Sequence, residues 1–104
     1  MKKAASIVVL ISGSGSNLQS IIEACQSDKI NGQIKRVISN RPKAFGLQRA
    51  TEAGIDALCI DHTKFDSRSA FDAELAERII ELKPDIVVLA GFMRILTPEF
   101  VAIF

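Results

Sequence analysis

The run Ile7-Val8-Val9-Leu10-Ile11 stops abruptly at Ser12-Gly13-Ser14-Gly15-Ser16-Asn17. Five apolar residues, four of them β-branched, read as a buried strand. Beyond the turn, Leu18, Ile21, Ile22 and Cys25 follow at i, i+3, i+4 and i+7, the spacing of an amphipathic helix. Ser16 and Gln19 fit a capping box at its start. Gly13 and Gly15 let the backbone turn and expose its N–H groups. Such groups at a helix N-terminus form an anion site, most often for phosphate. A tight turn that binds nothing has the same signature, so the loop by itself leaves both readings open.

Two phosphate motifs are excluded. A P-loop needs Gly-Lys-Ser/Thr after four spacer residues, and no Lys lies between Gly13 and Cys25. A dinucleotide fingerprint needs a third glycine where Leu18 stands, and an acid after the second strand, which ends Val37-Ile38-Ser39-Asn40. The ligand class that remains is a phosphorylated small molecule rather than ATP or NAD.

With 104 residues, 48% hydrophobic and 24% charged, the chain has the composition of one soluble domain. A net charge of +1 gives no strong field toward nucleic acid or an anionic membrane. Lys2 and Lys3 precede an apolar run, but that run is short and enters a glycine turn, so it reads as a strand rather than a signal peptide. No segment has the length of a transmembrane helix. Cys25 and Cys59 are far apart and outside any C-x-x-C pair, which reads as two buried thiols in a cytoplasmic protein. With His62 as the single histidine, no metal site is expected.

Strand and helix patterns alternate. Strands are expected at Ser6 to Ser12, Gln33 to Ser39, Ala57 to Ile60 and Ile86 to Ala90. Helices are expected at Asn17 to Gln26, from Pro42 to about Ala53 with Gly54 as its stop, and from Asp66 or Ser67 onward. The third presents Phe71, Leu75, Ile79 and Leu82 on one face and carries a Glu74–Arg78 pair. Pro98 is expected to open a short final helix. Continuous Val/Ile/Leu strands between helices predict an α/β fold: an open, mainly parallel sheet with helices on both faces. The expected strand order is 3-2-1-4, with ligands beyond the carboxyl ends of strands one and four.

The polar loops Asn40 to Lys43, Asp61 to Arg68 and Gly91 to Arg94 fall on that same edge. Gly91-Phe92-Met93-Arg94-Ile95-Leu96 could hold a flat aromatic ligand by apolar and backbone contacts. By composition alone, packing of Phe92, Ile95 and Leu96 into the core is the better reading. Arg68 lies in the first turn of a helix, where a cation is unfavourable. It reads either as a partner for a ligand carboxylate or as a solvated arginine. Asp61 and His62 invite an acid–base reading, but neighbours in an extended segment point apart. Ser14 and Ser16 have no evident base partner, which argues against a serine nucleophile.

Ser12 to Leu18 (S-G-S-G-S-N-L) and Val87 to Leu96 (V-V-L-A-G-F-M-R-I-L) together resemble the phosphoribosylglycinamide formyltransferases. Ala44 to Leu47 (A-F-G-L) and Phe65 to Arg68 (F-D-S-R) match the same family in order. The resemblance implies a Rossmann-like sheet of formyltransferase type and formyl transfer from 10-formyltetrahydrofolate to glycinamide ribonucleotide in purine biosynthesis. It implies that Gly15, Ser16 and Asn17 hold the ribose phosphate. Arg68 would meet the folate near its glutamate tail, and Met93, Arg94, Ile95 and Leu96 would line the pterin pocket. The core-packing reading of that last loop is reversed by the resemblance alone. A start at Met1 resembles the bacterial, single-function form.

One departure matters. The family's catalytic asparagine and histidine belong to an H-P-S-L-L-P region that has no match up to Phe104, and its aspartate lies further on. His62 is not that histidine. Residues 1–104 are therefore expected to be a single α/β domain corresponding to the N-terminal, substrate-binding half of a longer formyltransferase domain. The family reaction is direct attack of the glycinamide amine on the formyl group, and the missing groups stabilise the oxyanion and move protons. Inactivity alone and self-association through an uncovered fourth strand are expected. The alternatives are another folate-dependent formyl transferase or hydrolase, or a non-enzymatic sugar-phosphate or nucleotide binding module.

Overall fold

The structure, a computed structural model, describes residues 4–92. Strand β1 (Ala5–Ile11) holds the centre because every residue from Ile7 to Ile11 is apolar and buried. It pairs in parallel with β2 (Gly32–Ser39) on one side and β4 (Ile86–Leu89) on the other, and β3 (Ala57–Cys59) extends the sheet beyond β2. The order is β3-β2-β1-β4, the order expected.

The two faces of β1 are separate cores. Ile7, Val9 and Ile11 pack with Leu18 and Ile22 of helix α1 (Ser16–Gln26) and Ala50 of helix α2 (Phe45–Glu52). Val8 and Leu10 pack with Phe71, Leu75, Ala76 and Ile79 of helix α3 (Arg68–Ile80). Each large apolar side chain so buried contributes about 1.5–3 kcal/mol. In β2 the pairing jumps from Ile7↔Ile34 to Val8↔Arg36. This bulge lets Ile34 and Val37, at odd spacing, serve the same core.

Helix boundaries follow local chemistry. The Ser67 hydroxyl accepts from the Ala70 N–H at 3.1 Å and caps α3, whose Glu74 and Arg78 pair at 3.0 Å. Gly54, at φ +75°, ends α2, as its position in sequence predicts. Two expectations are corrected. There is no capping box at Ser16: Gly15 is itself the cap, at φ 78° and ψ 24°, so Ser16 is already helical and no side chain caps α1. Pro42 does not open α2 either. It lies in a turn closed by the Ala44 N–H to Arg41 carbonyl bond (3.3 Å), and Ala44 stays extended before Phe45 begins the helix. The expected helix at Pro98 lies outside the described residues. Among the described residues no helix is long and apolar enough to cross a membrane.

α1 leaves β1 toward one face and β4 joins it from the other, so the sheet's switch point falls at the carboxyl ends of β1 and β4.

Candidate anion-binding cleft

A cleft of about 280 Å³ lies at that switch point. Its floor is the loop from Ser12 to Asn17, its far wall Ala90 and Gly91, and one side Arg41. The three predicted residues Gly15, Ser16 and Asn17 all line it. As the first residues of α1, Ser16 and Asn17 have backbone N–H groups with no helical acceptor. The positive end of the helix dipole and the cationic residue Arg41 thus border one small cavity, an arrangement suited to an anion.

The loop is clamped from behind by α2. Gly46 N–H donates to the Gly13 carbonyl at 3.1 Å, and Arg49 Nε donates to the Ser14 carbonyl at 2.7 Å. Gly15 and Gly46 pass so closely that a Cβ on Gly15 would lie 2.6 Å from Gly46 Cα. The demand for glycine at residue 15 thus comes from α2 and from its left-handed backbone. The Arg49 guanidinium is 5.0 Å from the centre of the Phe45 ring, a cation–π contact that fixes its course.

A second set of bonds joins the loop ends. The Ser12 hydroxyl donates to Asn40 Oδ1 at 2.6 Å. Asn40, next to Arg41, also meets His62 Nδ1 through its amide nitrogen (3.3 Å) and its backbone carbonyl (3.0 Å). Asp61 turns the other way and accepts from Thr63 N and Thr63 Oγ1 at 2.9 and 2.7 Å. Those bonds, the side-chain one foremost, hold its carboxyl below the usual range. Asp61 and His62 are therefore engaged separately, in keeping with the discounted acid–base pair.

Arg68 opens α3 and is exposed. It does not line the cleft. Met93, Arg94, Ile95 and Leu96 lie outside the described residues. Phe92, just before them, packs against the core on the α3 side of the sheet. Asn40 and Arg41 fall in the Asn40 to Lys43 loop that the sequence places on this edge, and Gly46 in the A-F-G-L match, but neither signal gives them a role; Arg49 carried no signal. Among the described residues no group of three or more His, Cys, Asp or Glu side chains could hold a metal ion.

An open parallel sheet that delivers a glycine loop to a helix N-terminus at its switch point defines an α/β protein of the Rossmann-like, doubly wound class. The chain belongs to the formyl transferase family, which matches residues 5–104. It is similar to phosphoribosylglycinamide formyltransferase of Escherichia coli (strain K12), 57% identical over 96 residues that cover 92% of this chain and 45% of that protein. It is also similar to the enzyme of the same name from Schizosaccharomyces pombe, 49% identical over 91% of this chain and 50% of that protein. The crystal structure of glycinamide ribonucleotide transformylase 1 from Symbiobacterium toebii superposes with a TM-score of 0.94 at 46% identity, covering 100% of this chain and 49% of that one. The chain spans about half the length of the curated relatives it matches.

Proposed function

We propose that residues 1–104 are the N-terminal, substrate-binding half of a phosphoribosylglycinamide formyltransferase domain, acting in the cytoplasm. That enzyme moves a formyl group from 10-formyltetrahydrofolate to the amine of glycinamide ribonucleotide. Gly15, Ser16 and Asn17 hold the ribose phosphate, and Arg41 adds a cation from the side. Arg68 meets the folate's acidic tail; Met93, Arg94, Ile95 and Leu96 line the pterin pocket. The observation that carries this reading is the cleft itself, where loop, helix N-terminus and Arg41 converge in a chain 57% identical to phosphoribosylglycinamide formyltransferase of Escherichia coli over 96 residues.

The test is calorimetry with glycinamide ribonucleotide and with its dephosphorylated form. Clear preference for the phosphorylated compound is expected, and equal affinity would refute the phosphate assignment. The chain alone is expected to give no measurable formyl transfer, because no residue in it matches the family's oxyanion donor or proton carriers, and losing such groups costs orders of magnitude in rate. Turnover by protein free of host enzyme would contradict this.

Self-association belongs to the same reading. β4 pairs with β1 on one edge and has no strand partner on the other among the described residues, and Ile86 and Leu89 are about half exposed. An apolar, uncharged edge of this kind invites strand pairing between copies. Sedimentation at micromolar concentration should reveal dimers or larger species; a clean monomer would count against it.

A further inference from the structure

We propose that Arg49 is a positioning residue for the anion loop, setting the direction in which the loop's N–H groups point. The proposal rests on the phosphate reading above. In a planar trans peptide, C=O and N–H point in opposite directions. No peptide bond among the described residues is cis. The Gly13 carbonyl is drawn toward α2 by the Gly46 N–H, so the N–H of Ser14, in the same peptide plane, faces away from α2. The Ser14 carbonyl is drawn the same way by Arg49 Nε at 2.7 Å, so the N–H of Gly15 also faces away. Neither N–H has an acceptor among the described residues. Two consecutive donors are thus turned outward beside those of Ser16 and Asn17, and an anion in the cleft meets a preformed nest.

Of the two clamps, the one at Ser14 depends on a single side chain. A peptide between Ser14 and Gly15 can flip at little cost, because Gly15 tolerates both signs of φ. A flip would aim a carbonyl oxygen at the anion. The charge-assisted bond from Arg49 opposes that flip, and the stacked Phe45 ring keeps the guanidinium in line. Arg49 has no carboxylate partner among the described residues, so nothing competes with the Ser14 carbonyl for it.

The experiment compares the wild-type chain with Arg49→Met, which keeps the aliphatic stem but no donor, and Arg49→Lys, which keeps a charged donor. Amide NMR titrations with inorganic phosphate and with glycinamide ribonucleotide are followed at Ser14 and Gly15, and thermal unfolding is recorded in parallel. The expected result is movement of both wild-type amides, affinity lower by on the order of tenfold in Arg49→Met, and partial rescue in Arg49→Lys. The loss should persist in 1 M NaCl, where a distant charge is screened within about 3 Å. Wild-type affinity in Arg49→Met, a loss that vanishes in salt, or a loss that tracks a fall in unfolding temperature without lysine rescue would each overturn the positioning role. If ligand leaves the wild-type Ser14 and Gly15 amides unmoved, the phosphate reading fails and the proposal with it. If they move and the variants bind alike, only the positioning role is lost.

Discussion

Ser12 and Asn40 share a 2.6 Å hydrogen bond with both residues at most 2% exposed. It ties the end of β1 to the end of β2 directly beneath the cleft. Through His62 the same tie reaches the turn after β3, so three loops at the functional edge are linked by side chains. Ser12→Ala would leave a buried amide oxygen without this donor. A loss of about 1–3 kcal/mol is expected in urea unfolding. A variant within a few tenths of wild type would mean that water or a neighbour replaces the hydroxyl.

Gly15→Ala should damage both stability and binding. The left-handed backbone costs a non-glycine residue about 1–2 kcal/mol. The new methyl would also press on Gly46 Cα from 2.6 Å, and backbone cannot swing aside as a flexible side-chain end can. The expected outcome is an unfolding midpoint lower by several degrees together with weaker ribonucleotide binding. Unchanged binding would mean that α2 gives way without disturbing the loop.

Both cysteines should be sluggish nucleophiles. Burial raises the thiols of Cys25 and Cys59 above the usual value, and the Asp61 carboxylate raises Cys59 further. At pH 8 each should react with a disulfide reagent more slowly than free cysteine, because the thiolate is the reactive form. Asp61→Asn should quicken Cys59 and leave Cys25 unaltered. Equal effects on both would point to loosening of the fold rather than to charge.

The Asp61 turn gives stability a pH signature. Bonds from Thr63 favour the ionised carboxylate and depress its pKa in the folded chain. A depressed carboxylate contributes stability above its unfolded pKa and loses it as pH falls through the folded one. Thr63→Val should therefore be less stable than wild type at neutral pH, and the gap should narrow through the acid range below about pH 4. A gap that holds steady in acid would assign the effect to packing.

Much of the architecture was legible along the chain because it depends on local periodicity. The β-branched run at Ile7–Ile11, the 3.6-residue spacing in α1 and α3 and the stop at Gly54 each specify an element within a few neighbours. Continuous apolar strands between helices imply a parallel sheet, while the order β3-β2-β1-β4 is one of several that this pattern allows. The loop from Gly13 to Asn17 was legible as an anion-site candidate because a turn there feeds a helix N-terminus; the family resemblance picked out Gly15, Ser16 and Asn17 within it, and all three line the cleft. Tertiary structure alone decided the rest. Ser16 fits a capping box by type and spacing, yet the contact with Gly46 and the left-handed turn make Gly15 the cap. Arg49 and Ser14 are 35 positions apart, and Ser12 and Asn40 are 28 apart. No periodicity relates such pairs. They meet because the crossovers carry α2 against the loop and set the ends of β1 and β2 side by side, so the direction of the loop's N–H groups is a property of how helices pack on the sheet.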